Sequence, residues 1–311
     1  MPIDPQVQVL LDQAAAAGRP PLRGQTVEES RALMRSMIAV KGDGPKVGRV
    51  EDRAIPGPAG DIPVRIYWPD GVGPLPVVTW FHGGGWVLGD LETADSTCRS
   101  LTAKTGAIVV SVDYRLAPEN PYPAGVDDAL AAVSWVAANA QGIGGDPDRV
   151  AVGGDSAGGN LATVTALQAK RNGGPKLCYQ LLAYPVTDGM MSCPSYEENG
   201  EGYQLTADAM QWFYELYLGD GDPKDPLVSP LYAEDEDIAD LPPALVMTAE
   251  FDPLRDEGEA YARRLEQAGV SVRLKRYDGQ IHGFFTLDAF LDAAKAAVDE
   301  AAAALRAAFG S

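Results

Sequence analysis

From Gly48 onward the apolar positions fall into alternating strand-like and helix-like patterns. Ile62, Val64, Ile66 and Trp68 occupy every second position, the period of a strand with one covered face. With Gly48 to Ile55 before it, this predicts an antiparallel hairpin. The intervening Pro56-Gly57-Pro58-Ala59-Gly60 implies a turn longer than the two residues hairpins prefer. Leu75 to Phe81 and Ala107 to Val112 are nearly continuous apolar runs, as expected of parallel strands covered on both faces. Helical patterns then alternate with strands. Helices are expected at about Ala124 to Ala140, Leu161 to Lys170, Arg255 to Gln267 and Leu287 to Ala308. Strands are expected running into Ser156 and at Leu177 to Tyr184, Ala244 to Ala249 and Val270 to Tyr277. Such alternation predicts an α/β three-layer sandwich with a mostly parallel central sheet.

Two stretches stand outside the alternation. Residues 1–47 are helical in pattern, with Val7, Val9, Leu10 and Leu11 leading into an alanine run that Gly18-Arg19-Pro20-Pro21 stops. A second helix starts at Thr26, with Glu29 three residues on as in a capping box. Residues 188–232 interrupt the sheet pattern, carry four prolines and hold one aromatic helix around Asp208 to Leu218. An insertion this long inside a domain is usually functional. The expected division is a catalytic α/β domain over 48–187 and 233–311, with 1–47 and 188–232 forming a helical cap over the sheet's carboxyl edge. Trp86, Trp212 and Phe213 are then the candidate walls of a substrate pocket.

Composition narrows the function classes. The 311 residues carry a formal charge of −19, which disfavours nucleic acid and anionic membrane surfaces as partners. No apolar run approaches the length that spans a bilayer and no signal peptide is visible, so a cytoplasmic location is the default. Cys98, Cys178 and Cys193 lie far apart and suggest neither a metal site nor a disulfide framework. A homo-oligomer is left open.

The chemistry concentrates at Gly154-Asp155-Ser156-Ala157-Gly158. This G-x-S-x-G motif, between a strand and a helix, is the nucleophile elbow pattern. A serine hydroxyl needs a base, and the chain has two histidines, His82 and His282. His82 opens His82-Gly83-Gly84-Gly85-Trp86 directly after a strand. Three glycines there free backbone N–H groups to face a developing oxyanion, and His82 anchors that loop. His282 follows the strand ending at Tyr277, where such sheets place ligands, and is the base. Its partner carboxylate is expected after the strand Ala244 to Ala249. Glu250 and Asp256 are chemically eligible, but position and the order Ser…Asp…His favour Asp252.

Together with Asp113-Tyr114-Arg115-Leu116-Ala117-Pro118-Glu119, Asp252-Pro253-Leu254-Arg255-Asp256 and Ile281-His282-Gly283-Phe284, these motifs resemble the hormone-sensitive-lipase-like branch of bacterial α/β-hydrolase carboxylesterases. The resemblance implies Ser156 as nucleophile, His282 as base and Asp252 as its partner. It further implies an oxyanion hole from the N–H groups of Gly84, Gly85 and Ala157, and a bracing role for Tyr114 to Glu119. It implies a small-molecule ester as substrate, with short to medium acyl chains. The reaction requires no metal or organic cofactor.

Overall fold

The structure is a computed structural model and describes residues 2–18 and 20–310. Met1, Arg19 and Ser311 lie outside the described residues, and with Arg19 so does part of the expected stop Gly18-Arg19-Pro20-Pro21. In chain order the N-terminal helices are α1 (Pro5–Ala16), α2 (Val27–Ser36) and α3 (Ile38–Lys41). Strands β1 (Arg49–Gly57), β2 (Gly60–Trp68) and β3 (Leu75–Phe81) follow, then α4 (Leu91–Thr105), β4 (Ile108–Val112) and α5 (Ala124–Asn139). Next come β5 (Gly145–Asp155), α6 (Ala157–Arg171) and β6 (Tyr179–Ala183). Helices α7 (Ser195–Glu198), α8 (Ala207–Tyr217) and α9 (Asp235–Ile238) precede β7 (Ala244–Phe251), α10 (Arg255–Gln267), β8 (Val272–Ile281) and α11 (Asp292–Phe309).

The sheet runs β1-β2-β4-β3-β5-β6-β7-β8, antiparallel at β1/β2 and β2/β4 and parallel elsewhere. The apolar runs lie where their patterning requires. Every residue of β4 is buried, as is every residue of β3 after Leu75. One core face packs Val126, Val133, Leu161 and Leu265 of α5, α6 and α10. The other packs Cys98, Leu101, Val298 and Leu305 of α4 and α11.

The structure corrects one expectation and adds a helix. The hairpin turn is two residues long, Pro58-Ala59, because Gly57 pairs with Gly60 and Pro56 with Asp61. Proline stays in β1 because this is the sheet's edge, where a missing N–H breaks no second ladder. Helix α4 has no counterpart in the sequence reading. Its inward face carries hydroxyls (Thr93, Ser96, Thr97, Ser100) that hide the apolar period. Two of its threonines bond back into the helix, Thr102 Oγ1 to Cys98 O and Thr105 Oγ1 to Leu101 O. The N-terminal segment makes contacts in two places. α1 docks on β8 and the start of α11, with Val7 fully buried and Asp4 N donating to Gly279 O at 3.0 Å. After α1, Arg23 pairs with Asp208 and Glu215 on α8.

Candidate active site

β5 carries Val150, Ala151 and Val152, all fully buried, up the middle of the sheet. At its end Ser156 takes φ +58° and ψ −120°, a conformation that strains a residue with a side chain. The turn is held by Ser156 N donating to Ala183 O at 2.9 Å, and by Ser156 O accepting from Asn160 N at 3.0 Å. A Cβ at Gly154 would strike the Gly158 carbonyl, and one at Gly158 would strike that of Phe81. The two glycines are therefore the spatial condition for the elbow. Ala157 opens α6, whose first N–H groups have no intrahelical acceptor.

Beside it runs the glycine loop after β3. Tyr114 Oη donates to His82 O at 2.7 Å and its ring stacks on the imidazole at 4.4 Å. His82 Nδ1 bonds to Gly83 O at 2.8 Å, so His82 is locked under the loop, 2% exposed. Gly83 N donates to Asp155 Oδ1 at 3.1 Å, joining the loop to the elbow. The loop then folds back as Val87 N and Leu88 N both donate to Gly84 O. Gly84 and Gly85 take φ +120° and +60°, and among the described residues neither N–H has a backbone acceptor. Ala117 N donates to Trp86 O at 2.9 Å, so residues 114–117 brace this loop. From α2, Arg31 adds a clamp by donating to Val87 O and Ala117 O and pairing with Glu119.

His282 arrives on the loop after β8. Its Nε2 lies 2.9 Å from Ser156 Oγ and its Nδ1 2.7 Å from Asp252 Oδ2. Asp252 is fully buried and its other carboxylate oxygen accepts from Leu254 N at 2.9 Å. The two competing acids have other partners. Glu250 accepts from Gly279 N at 2.7 Å, and Asp256 takes Arg255 and Ser195 N. The Tyr184 ring packs against His282 at 4.6 Å, and burial beside Asp155 and Asp252 pushes its phenol well above the ordinary value. It is thus a neutral wall at neutral pH.

The three aromatic candidates lie around the glycine loop in different ways. The Phe213 ring lies directly over Gly85, and Trp212 packs against Phe213 at 5.3 Å. Trp86 is 1% exposed and stacks flat on Tyr217 at 4.3 Å, which makes it a brace between loop and α8. Sequence reasoning missed the carboxyl of Asp155 on Gly83 N, the Tyr184 wall and the Arg31 clamp. Asp155 occupies a variable position of its motif, and the other two contacts depend on long-range packing.

A family model described as "alpha/beta hydrolase fold" matches residues 78–286, which span the glycine loop, the elbow and His282. The chain belongs to the hormone-sensitive-lipase-like α/β-hydrolase family. It is similar to carboxylesterase NlhH of Mycobacterium tuberculosis, 45% identical over 98% of this chain and 95% of that protein. Ethyl acetate hydrolase of Pseudomonas putida is 38% identical over 92% of both chains. Among solved structures, an ester-hydrolase from the metagenome of Lake Arreo, complexed with a bipyridine phosphonate derivative, superposes with a TM-score of 0.95. It is 44% identical, covering 99% of this chain and 100% of that one. The hyperthermophilic esterase of the archaeon Pyrobaculum calidifontis gives a TM-score of 0.94 at 42% identity, covering 100% of both. Within this hydrolase-family chain no described helix is long and apolar enough to cross a membrane. No three His, Cys, Asp or Glu residues among those described gather as metal ligands.

Proposed function

We propose that this chain, a carboxylic ester hydrolase by its relatives, cleaves short- to medium-chain acyl esters through an acyl-enzyme on Ser156. The observation that carries the reading is His282 spanning Ser156 Oγ at 2.9 Å and Asp252 at 2.7 Å. Nδ1 donates to the Asp252 carboxylate, which leaves Nε2 as the acceptor for the serine proton. Ser156 Oγ attacks the ester carbonyl as His282 takes that proton. The oxyanion forms among the N–H groups of Gly84, Gly85 and Ala157, aided by the N-terminus of α6. The imidazolium then returns its proton to the departing alkoxide oxygen. A water, deprotonated by the same nitrogen, attacks the acyl-enzyme and releases the acid.

In this reading the 188–232 segment, with part of 1–47, caps the site. Phe213 and Trp212 line the acyl or alcohol pocket, while Trp86 holds the cap to the oxyanion loop. The substrate is a small molecule in solution, and the cell compartment is the cytoplasm. The test is an activated organophosphonate followed by mass spectrometry, alongside p-nitrophenyl esters and anilides. Labelling is expected on the peptide carrying Ser156, with esters turned over and anilides not. Ser156→Ala is expected to abolish both labelling and turnover without changing the melting temperature. Labelling at another serine, or hydrolysis surviving in that variant, defeats the assignment.

A further inference from the structure

β7 ends at Phe251 and α10 begins at Arg255, so Asp252 sits on a short turn between them. Side chains of the 188–232 segment donate to carbonyls of this turn, alongside Arg255, whose N donates to Asp252 O at 3.1 Å and whose Nη1 donates to Glu250 O at 3.3 Å. Asn199 Nδ2 donates to Glu250 O at 3.2 Å and to Asp252 O at 3.3 Å. Ser195 Oγ donates to Pro253 O at 2.6 Å and accepts from Asp256 N at 3.2 Å. Ser195 N completes the set by donating to Asp256 Oδ2 at 3.0 Å. Ser195 and Asn199 are themselves tied, Asn199 N to Ser195 O at 2.9 Å, and both are buried. The backbone of Asp252 is thus gripped by a residue more than fifty positions earlier, while its carboxylate is left to Leu254 N and His282.

We propose that Asn199 is a positioning residue, holding the acid turn so that Asp252 stays against His282. This rests on the triad reading above. A buried amide with two carbonyl acceptors fixes the turn in two directions. Its loss removes one donor from both carbonyls, and the turn, still held by Ser195 and Arg255, shifts against His282. Displacements on the order of 1 Å around a reacting centre cost about 10²-fold in rate.

The test is a mutant cycle. Asn199→Ala and Asn199→Asp, the latter close in shape but unable to donate when ionised, are each made alone and together with Asp252→Asn. Turnover of p-nitrophenyl butyrate is followed against pH. Alone, each is expected to lower kcat about 10- to 100-fold with KM changed less than about twofold. The acid limb of kcat/KM is expected to move to lower pH, because a loosened carboxylate stabilises the imidazolium less. In the Asp252→Asn background the same substitution is expected to cost less than about threefold, since the group it positions is gone. Equal fold losses in both backgrounds, or a fall in Tm with kcat and the acid limb unmoved, overturn the proposal. If Asn199→Ala does not fold, Asn199→Asp alone carries the cycle. Ser156→Ala is run in parallel. Activity surviving there defeats the triad reading, whereas an inactive Ser156→Ala with additive losses at Asn199 defeats only the positioning role.

Discussion

Gly85→Ala tests the contact between the glycine loop and the aromatic helix. Gly85 has φ +60°, and an added Cβ would stand no more than 2.5 Å from three atoms of the Phe213 ring. Alanine there meets two costs of separate origin. The left-handed backbone costs an L-residue about 1–2 kcal/mol. Overlap with the ring adds about 1–3 kcal/mol, the usual range for overpacking. Phe213 is 5% exposed and wedged against Trp212, so the loop backbone yields rather than the ring. The Gly85 N–H then leaves its place, and losing one oxyanion donor costs about 10²–10³ in kcat. The expected loss for Gly85→Ala is therefore about 2–5 kcal/mol in stability together with that fall in kcat. In a Phe213→Ala background the overlap disappears and only the backbone cost remains. The two substitutions should couple by about 1–3 kcal/mol, and the double variant should regain roughly tenfold in kcat over Gly85→Ala. Urea melts and p-nitrophenyl butyrate turnover of the four proteins measure both quantities. Strictly additive stability losses with no recovery of kcat would refute the claim that this ring presses on the loop.

Three further outcomes are expected. Asp252→Asn should cost about 10⁴ in kcat by leaving His282 in the wrong tautomer, while Asp256→Asn should cost less than about tenfold; comparable losses at the two positions would reverse the choice of acid. Trp212→Ala, Phe213→Ala and a truncation beginning at Lys46 should each shift the chain-length preference in kcat/KM from acetyl to octanoyl esters. Each methylene newly accommodated is worth about 0.8 kcal/mol, roughly fourfold, and an unchanged profile in all three would make the cap decoration. Burial, with Asp90 close by, pushes the Asp113 carboxyl up to about 6. The folded state then holds that proton more tightly than the unfolded chain, and stability falls as pH rises through this value. Asp113→Asn should therefore raise Tm above pH 6 by an amount worth about 1–2 kcal/mol, discounted for partial exposure, and change nothing near pH 4. A pH-independent difference would count against the shift.

Candidate residues for the chemistry were easier to find in the sequence than the packing. With two histidines in the chain and one tied to a glycine cluster, the search for a base was nearly closed, and strand–turn–helix patterning placed Ser156. Most strands were visible because a parallel strand buried on both faces is apolar at most positions. Helix α4 was invisible because its inward positions carry Thr and Ser, which register as polar; Thr102 and Thr105 turn their hydroxyls back onto the helix backbone. The hairpin turn is shorter than the Pro56–Gly60 stretch suggests because Pro56, Gly57 and Gly60 pair within the ladder, and β1 is an edge strand where a proline is tolerated. Trp86, which follows Gly84 and Gly85 in sequence, is among the pocket candidates. Its burial against Tyr217 depends on how α8 crosses the loop, which no local pattern encodes. Ser195 and Asn199 lie in a stretch without periodicity, and their partners at 250–256 are close only in space.

The grip of Ser195 and Asn199 on the 250–256 turn also sets where this molecule can be recombined. The segment 188–232 has the outline of a transplantable module, bounded by β6 on one side and the approach to β7 on the other. A chimera cut at those bounds would bring a foreign loop to carbonyls it was not shaped to bind. Exchanges among esterases of this fold that move specificity intact should therefore carry two discontinuous pieces, the insertion and the acid turn, as a single heritable unit.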